Sequence, residues 1–196
     1  MTAGTRTSIE KVRRRDLVEA AYLTFLEHGL EGMTMARIGE RAGMSHGIVN
    51  YYFKSKDELL STVVRRSNFL IIREAAGKLS KAATPRERIS AIIEANFPEK
   101  LFTREVARAW VSYYAAIGRK PEFNRLQAAT DSRLASNLVH ALKQLTSDEK
   151  ARAVAVHVAI LVDGLWLRHA RSNDPIDSRS AVRLIEAFVD GELAET

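Results

Sequence analysis

The 196 residues contain no cysteine, only four prolines, ten glycines and 7% aromatic side chains. Without cysteine, disulfides, thiolate zinc sites and thiol nucleophiles are excluded, and a reducing compartment is compatible with the chain. No apolar run reaches the roughly 18–20 residues of a membrane span, so no membrane partner is expected. The basic stretch at 11–15 has no apolar segment behind it, which argues against a secretory signal and for a cytoplasmic protein. No glycine-rich phosphate loop or HExxH string occurs. His28, His46, His140, His157 and His169 are too scattered for a helical metal pair. An enzyme is therefore not expected, nor a metal or organic cofactor.

What the chain does have is positive charge and helical periodicity. Its net charge is +6, which favours polyanionic partners. Half of that excess lies within residues 1–56. Alternating strand patterns are scarce, whereas Val18, Ala21, Tyr22 and Phe25 recur at i, i+3, i+4, i+7, with Gly29 as C-cap. Thr34 and Ser45 each open a short helix. Ser55 through Glu58 reads as a capping box before a long helix reaching Leu79, and Thr84-Pro85-Arg86-Glu87 reads as a second. Further helices are expected over about 103–117, 121–145, 148–170 and 178–191. The fold class is therefore all-α with about nine helices. A small N-terminal helical unit (1–55) precedes a larger helical bundle (56–196), and the helix from Lys56 joins them.

The informative stretch is Thr34–Phe53. Thr34 caps one helix, Gly43 takes a turn that needs positive φ, and Ser45 caps the next. Ile38, Ala42, Met44, Val49 and Phe53 are spaced to fill a core, with Ala42 permitting close helix approach. His46, Gly47, Asn50 and Tyr51 remain on one outward face, and a helix of this kind fits the major groove of double-stranded DNA. Asn50 suits an adenine edge, His46 a guanine acceptor, Ile48 a thymine methyl and Arg37 a base edge. Tyr51, Tyr52, Lys54, Lys56 and the run Arg13, Arg14, Arg15 suit phosphates.

Thr34, Ile38, Ala42-Gly43-Met44-Ser45, Gly47, Tyr52-Phe53, Ser55-Lys56 and Leu59 together resemble the N-terminal signature of the TetR family of repressors. The pattern departs at Asn50, where many members carry a phosphate-contacting tyrosine, which leaves that duty to Tyr51. The strings around Trp110, Phe123, Arg133 and Val162–Arg168 are similar to the choline-responsive members that repress glycine betaine synthesis. The resemblance implies a helix-turn-helix in the unit 1–55, a ligand-sensing and dimerisation bundle over 56–196, and a homodimer built on the last two long helices. It also implies a palindromic operator read at two points and a small-molecule effector that is a choline-like quaternary ammonium.

The residues themselves allow such a site. Trp110, Tyr113 and Tyr114 share a helix face, and Asp163 and Trp166 lie three apart in an apolar run, with Asn96 and Phe97 as further candidates. A trimethylammonium ion donates no N–H hydrogen bond and is best held by aromatic faces. The same spacing also describes core-filling aromatics with Asp163 paired to an arginine. Two other readings remain at this point: a repressor answering a different cationic or hydrophobic molecule, such as a multidrug-efflux regulator, and a non-specific DNA-packaging protein.

Overall fold

Helix starts in this chain are fixed by short polar side chains. The computed structural model describes residues 3–195, and among these it is all-α: α1 (Ala3–Gly32), α2 (Met35–Ala42), α3 (His46–Tyr52), α4 (Lys56–Leu79), α5 (Pro85–Ala95), α6 (Arg104–Ile117), α7 (Pro121–Leu142), α8 (Asp148–Arg171) and α9 (Ser178–Ala194). Residues 1, 2 and 196, at the outer ends of the two expected units, lie outside the described residues. Thr34, Ser45, Ser55, Thr84, Thr103, Ser147 and Asp177 each accept the amide three residues on. Each supplies an acceptor that the first helical turn otherwise lacks. The box at Thr84 is reciprocal, with Glu87 returning to the Thr84 amide. At Ser55 the return is displaced by one residue, and Glu58 accepts from the Lys54 amide at 2.8 Å instead.

Three helix ends differ from the sequence reading. Gly29 does break α1, with φ 63° and ψ −170°, but a further turn follows it to Gly32. α7 stops at Leu142, and residues 143–146 tighten into turns on the Ala141 and Leu142 carbonyls. α9 runs past Gly191 to Ala194.

The helices enclose two apolar cores. The front core joins Leu17, Ala21, Phe25, Met33, Ile38, Val49, Phe53, Leu59 and Val63, and is closed from outside α1–α4 by Ala109, Tyr113 and Phe123. The rear core joins Ile89, Ile93, Phe97, Leu138, Leu142, Val154, Val158, Ile185 and Val189. α8 is long and apolar enough to cross a membrane by length and composition, contrary to the run-length reading of the sequence. Its apolar residues instead fall on two faces. One face is buried in the rear core, and the other leaves Val156, Ile160 and Leu167 exposed.

Candidate functional site

The helix-turn-helix is assembled from its turn outward. Gly43 adopts φ 63°, ψ 33° and returns its amide to the end of α2. A close approach between the two helices lies at Gly39. A Cβ at Gly39 would sit 2.7 Å from the Met44 carbonyl oxygen and 3.2 Å from Val49 Cγ2. That contact seats α3 on α2, with Val49 and Phe53 fully buried beneath it. Ser45, His46, Gly47, Asn50 and Tyr51 remain exposed, Tyr51 with 71% of its surface free. Ile48 is half-buried, and so is Tyr52, whose ring meets Tyr51 edge to face at 5.1 Å.

The basic residues around α3 divide. Arg13 and Lys54 are exposed. Arg14 lies over the Phe53 ring at 4.7 Å, and Arg15 pairs with Asp16 at 3.3 Å. Arg37 is exposed, and its guanidinium donates to the Gly32 carbonyl at 3.0 Å. Lys56 turns inward toward the Glu31 carbonyl at 3.4 Å, and burial holds its ammonium pKa below the usual lysine range. The Thr34 and Ser45 hydroxyls accept from the Arg37 and Ile48 amides, which leaves each O–H proton available to an outside acceptor.

The seven residues expected to bind a ligand fall into two groups. Trp110 meets Tyr113 edge-on at 5.6 Å and Tyr114 at 6.4 Å. Tyr113 is fully buried, its hydroxyl donates to the Phe123 carbonyl at 3.5 Å, and burial, then Asp131, pushes its pKa up to about 12. Tyr114 keeps 39% of its surface exposed; burial of its hydroxyl, then Asp163 and Asp131, raise its pKa. Asp163 is exposed, yet partial desolvation and then the charge of Asp131 hold its carboxyl above the ordinary range. Asp131, braced by the Gln127 amide at 2.7 Å, was missed in the sequence. It lies in a polar stretch, and only the packing of α7 beside α8 makes it a neighbour of Asp163.

Trp166, Phe97 and Asn96 form the other group. Trp166 stacks on Phe97 at 6.5 Å, meets Phe102 at 4.8 Å and donates its indole N–H to the Asn96 carbonyl at 3.1 Å. Phe102 in turn stacks on His169 at 4.1 Å. The His169 Nδ1 contacts the Ile176 carbonyl oxygen at 3.0 Å, and burial lowers its pKa. This cluster is a brace between α5, α8 and the start of α9, so the structure does not join these three residues to the Trp110 group. Asn96 also borders an apolar cavity of about 170 Å³ between α4, α5 and α7, walled by Ile71, Ile72, Leu79, Ile92 and Leu134 with Asn68 and Asn137.

Comparison with known proteins places both halves of the chain. Residues 17–63 match the family described as bacterial regulatory proteins, tetR family. Residues 85–194 match the C-terminal region of BetI-type transcriptional repressors. The HTH-type transcriptional regulator BetI of Brucella canis is 35% identical over 189 residues, 96% of each chain. That of Agrobacterium fabrum is 36% identical over 188 residues, 96% of this chain and 91% of the relative. A putative transcriptional regulator from Pseudomonas aeruginosa has a solved structure with a TM-score of 0.79 at 28% identity, covering 94% of this chain and 91% of that one. Another from Saccharomonospora viridis, solved in complex with choline, gives 0.79 at 21% identity over 90% of this chain and 95% of that one, a likeness of fold.

Proposed function

Because the chain belongs to the TetR family and is a DNA-binding transcriptional repressor with a BetI-type C-terminal half, we propose that choline or a related quaternary ammonium ion releases it from its operator. On this reading it governs the genes that turn choline into glycine betaine. It works in the cytoplasm by binding alone, not as an enzyme.

The observation that carries the effector assignment is the cluster of Trp110, Tyr113 and Tyr114, with Tyr114 in the field of Asp163 and Asp131. The charge of Asp131 disfavours ionisation of Asp163, and a bound cation relieves that repulsion. Aromatic faces add about 0.5–2 kcal/mol each to holding a trimethylammonium group. Trp166, Phe97 and Asn96 serve in this reading as the frame behind the site.

Residues 1–55 carry the DNA-reading surface. His46, Gly47 and Asn50 face base edges, with Ile48 at their margin. Tyr51, Tyr52, Lys54, Arg13 and the hydroxyls of Thr34 and Ser45 face phosphates. Arg14, Arg15, Arg37 and Lys56 hold the surface in place while adding positive charge. Residues 56–196 carry sensing and dimerisation. Val156, Ile160 and Leu167 of α8, with Leu184 of α9, form an exposed apolar face suited to a second copy. Two-fold symmetry then sets the paired α3 helices about 34–36 Å apart, on successive turns of a palindromic operator.

Fluorescence anisotropy on a palindromic operator, with and without choline, tests the reading. Operator affinity is expected to fall as choline is added. Unchanged affinity at millimolar choline would remove choline as effector. A second reading, in which an uncharged hydrophobic molecule is sensed, is favoured by the apolar cavity between α4, α5 and α7. It predicts that filling the cavity with Leu134→Trp, and not Asp163→Asn, abolishes release.

A further inference from the structure

α6 carries the aromatic side of the proposed cation site on one stretch and touches α1 on another. Trp110 meets the Phe25 ring edge-on at 5.6 Å, one turn before α1 breaks at Gly29. Just past the break, the Leu30 amide donates to Ser112 Oγ at 2.9 Å, and the Ser112 hydroxyl donates to the Ala109 carbonyl at 2.6 Å. The ψ of −170° at Gly29 explains this bond, because it turns the peptide between residues 29 and 30 out of the helical direction. The Leu30 N–H thus points to α6 rather than along α1. Gly29 is required twice over. Its φ is positive, and a Cβ there would lie 3.1 Å from Ser112 Oγ.

The segment beyond the break is the entrance to the helix-turn-helix. Met33 is fully buried in the front core and its amide returns to the Gly29 carbonyl at 3.2 Å. Gly32 receives the Arg37 guanidinium, Glu31 receives Lys56, and Thr34 caps α2. A displacement of Leu30 is therefore passed to the start of α2 without crossing a flexible linker. The long helix α4 also joins the two regions, but the contact that leads from the aromatic site straight into the reading unit belongs to α6.

We propose that Ser112 is the positioning residue that couples effector binding to DNA release, by holding the α1 break at Gly29–Leu30 to the same helix that carries Trp110 and Tyr114. The inference rests on the cation-site reading given above. When Trp110 and Tyr114 close on a cation, α6 shifts and Ser112 carries the Leu30 amide with it. The entrance to α2 then moves and the two α3 helices leave their DNA spacing. Reciprocity requires operator DNA to weaken the cation by the same factor.

The test compares the intact protein with Ser112→Ala and Ser112→Thr. A threonine hydroxyl in a helix keeps the bond to a carbonyl three or four residues back and so restores the acceptor. Operator affinity is measured by anisotropy with and without choline chloride, and choline affinity by calorimetry on DNA-free protein. The unsubstituted chain is expected to show a coupling of about 5–150-fold. Ser112→Ala should keep both separate affinities and lose most of the coupling, and Ser112→Thr should recover it. Undiminished coupling in Ser112→Ala overturns the proposal. Absence of any coupling in the unsubstituted chain instead overturns the effector reading, and this one with it. Amide hydrogen exchange on the unsubstituted protein gives an answer independent of how the variants fold. The Leu30 amide should stay protected from exchange in both the choline-bound and the operator-bound state, because Ser112 holds it through the shift, and loss of protection in either state overturns the proposal.

Discussion

Asp163 shows how one side chain can be read correctly in kind and incompletely in context. Its place in an apolar run made it conspicuous, but the run did not show that its neighbours would be Tyr114 of α6 and Asp131 of α7. Its raised pKa means that the folded chain binds this proton more tightly than the unfolded chain does. Stability therefore falls as pH rises from the usual carboxylate value through the raised one. A cation favours the ionised form, so choline affinity should rise across that same interval and level off above it. Calorimetric titration of choline at descending pH should show binding weaken as Asp163 protonates. Asp163→Asn should weaken binding at neutral pH by about two- to fivefold, a modest factor because solvent screens an exposed group, and should flatten the pH dependence. Thr34, Gly43 and Ser45 were legible outright because a cap or an αL turn is decided by neighbours in sequence. Asp131 was not, because its importance depends on how α7 lies against α8.

Between helices, the same division holds. Most helix ends were written in caps and prolines, and the structure keeps them within a few residues. The seat of α3 on α2 was legible only in part. Ala42 was the obvious small residue, but the close approach at Gly39 was not read, because the local pattern marks that glycine merely as a weak helix former. Gly39→Ala forces a methyl group against the Met44 carbonyl, and overpacking of this kind costs about 1–3 kcal/mol. Gly77→Ala, in α4 with nothing within 4 Å of a built Cβ, should instead stabilise by about 0.4–1 kcal/mol. Thermal unfolding of the two variants should move in opposite directions. Operator binding should weaken in Gly39→Ala alone, because α3 is displaced with the turn that carries it.

For the molecule as a whole, the exposed apolar face of α8 is the feature that a single copy leaves unfinished. Ile160 keeps 62% of its surface free, with Val156 and Leu167 on the same side. Ile160→Glu would place two unpaired carboxylates, one per copy, in the proposed interface, and burying charge without a partner costs about 3–5 kcal/mol. Sedimentation velocity should then show a monomer that retains its helical spectrum, and affinity for the full palindrome should fall toward that for a half-site. A dimer that persists in this variant would move the interface elsewhere.

The front core has a consequence for anyone who would treat the reading head as an exchangeable cartridge. Phe25, Val49 and Phe53 share one core with Ala109, Tyr113 and Phe123, residues far along the chain. A chimera spliced at position 55 would bring a foreign head against a surface shaped for this one. It would need the matching surface of α6 and the start of α7 transplanted alongside, so position 55 is no clean joint at which to exchange specificity for DNA.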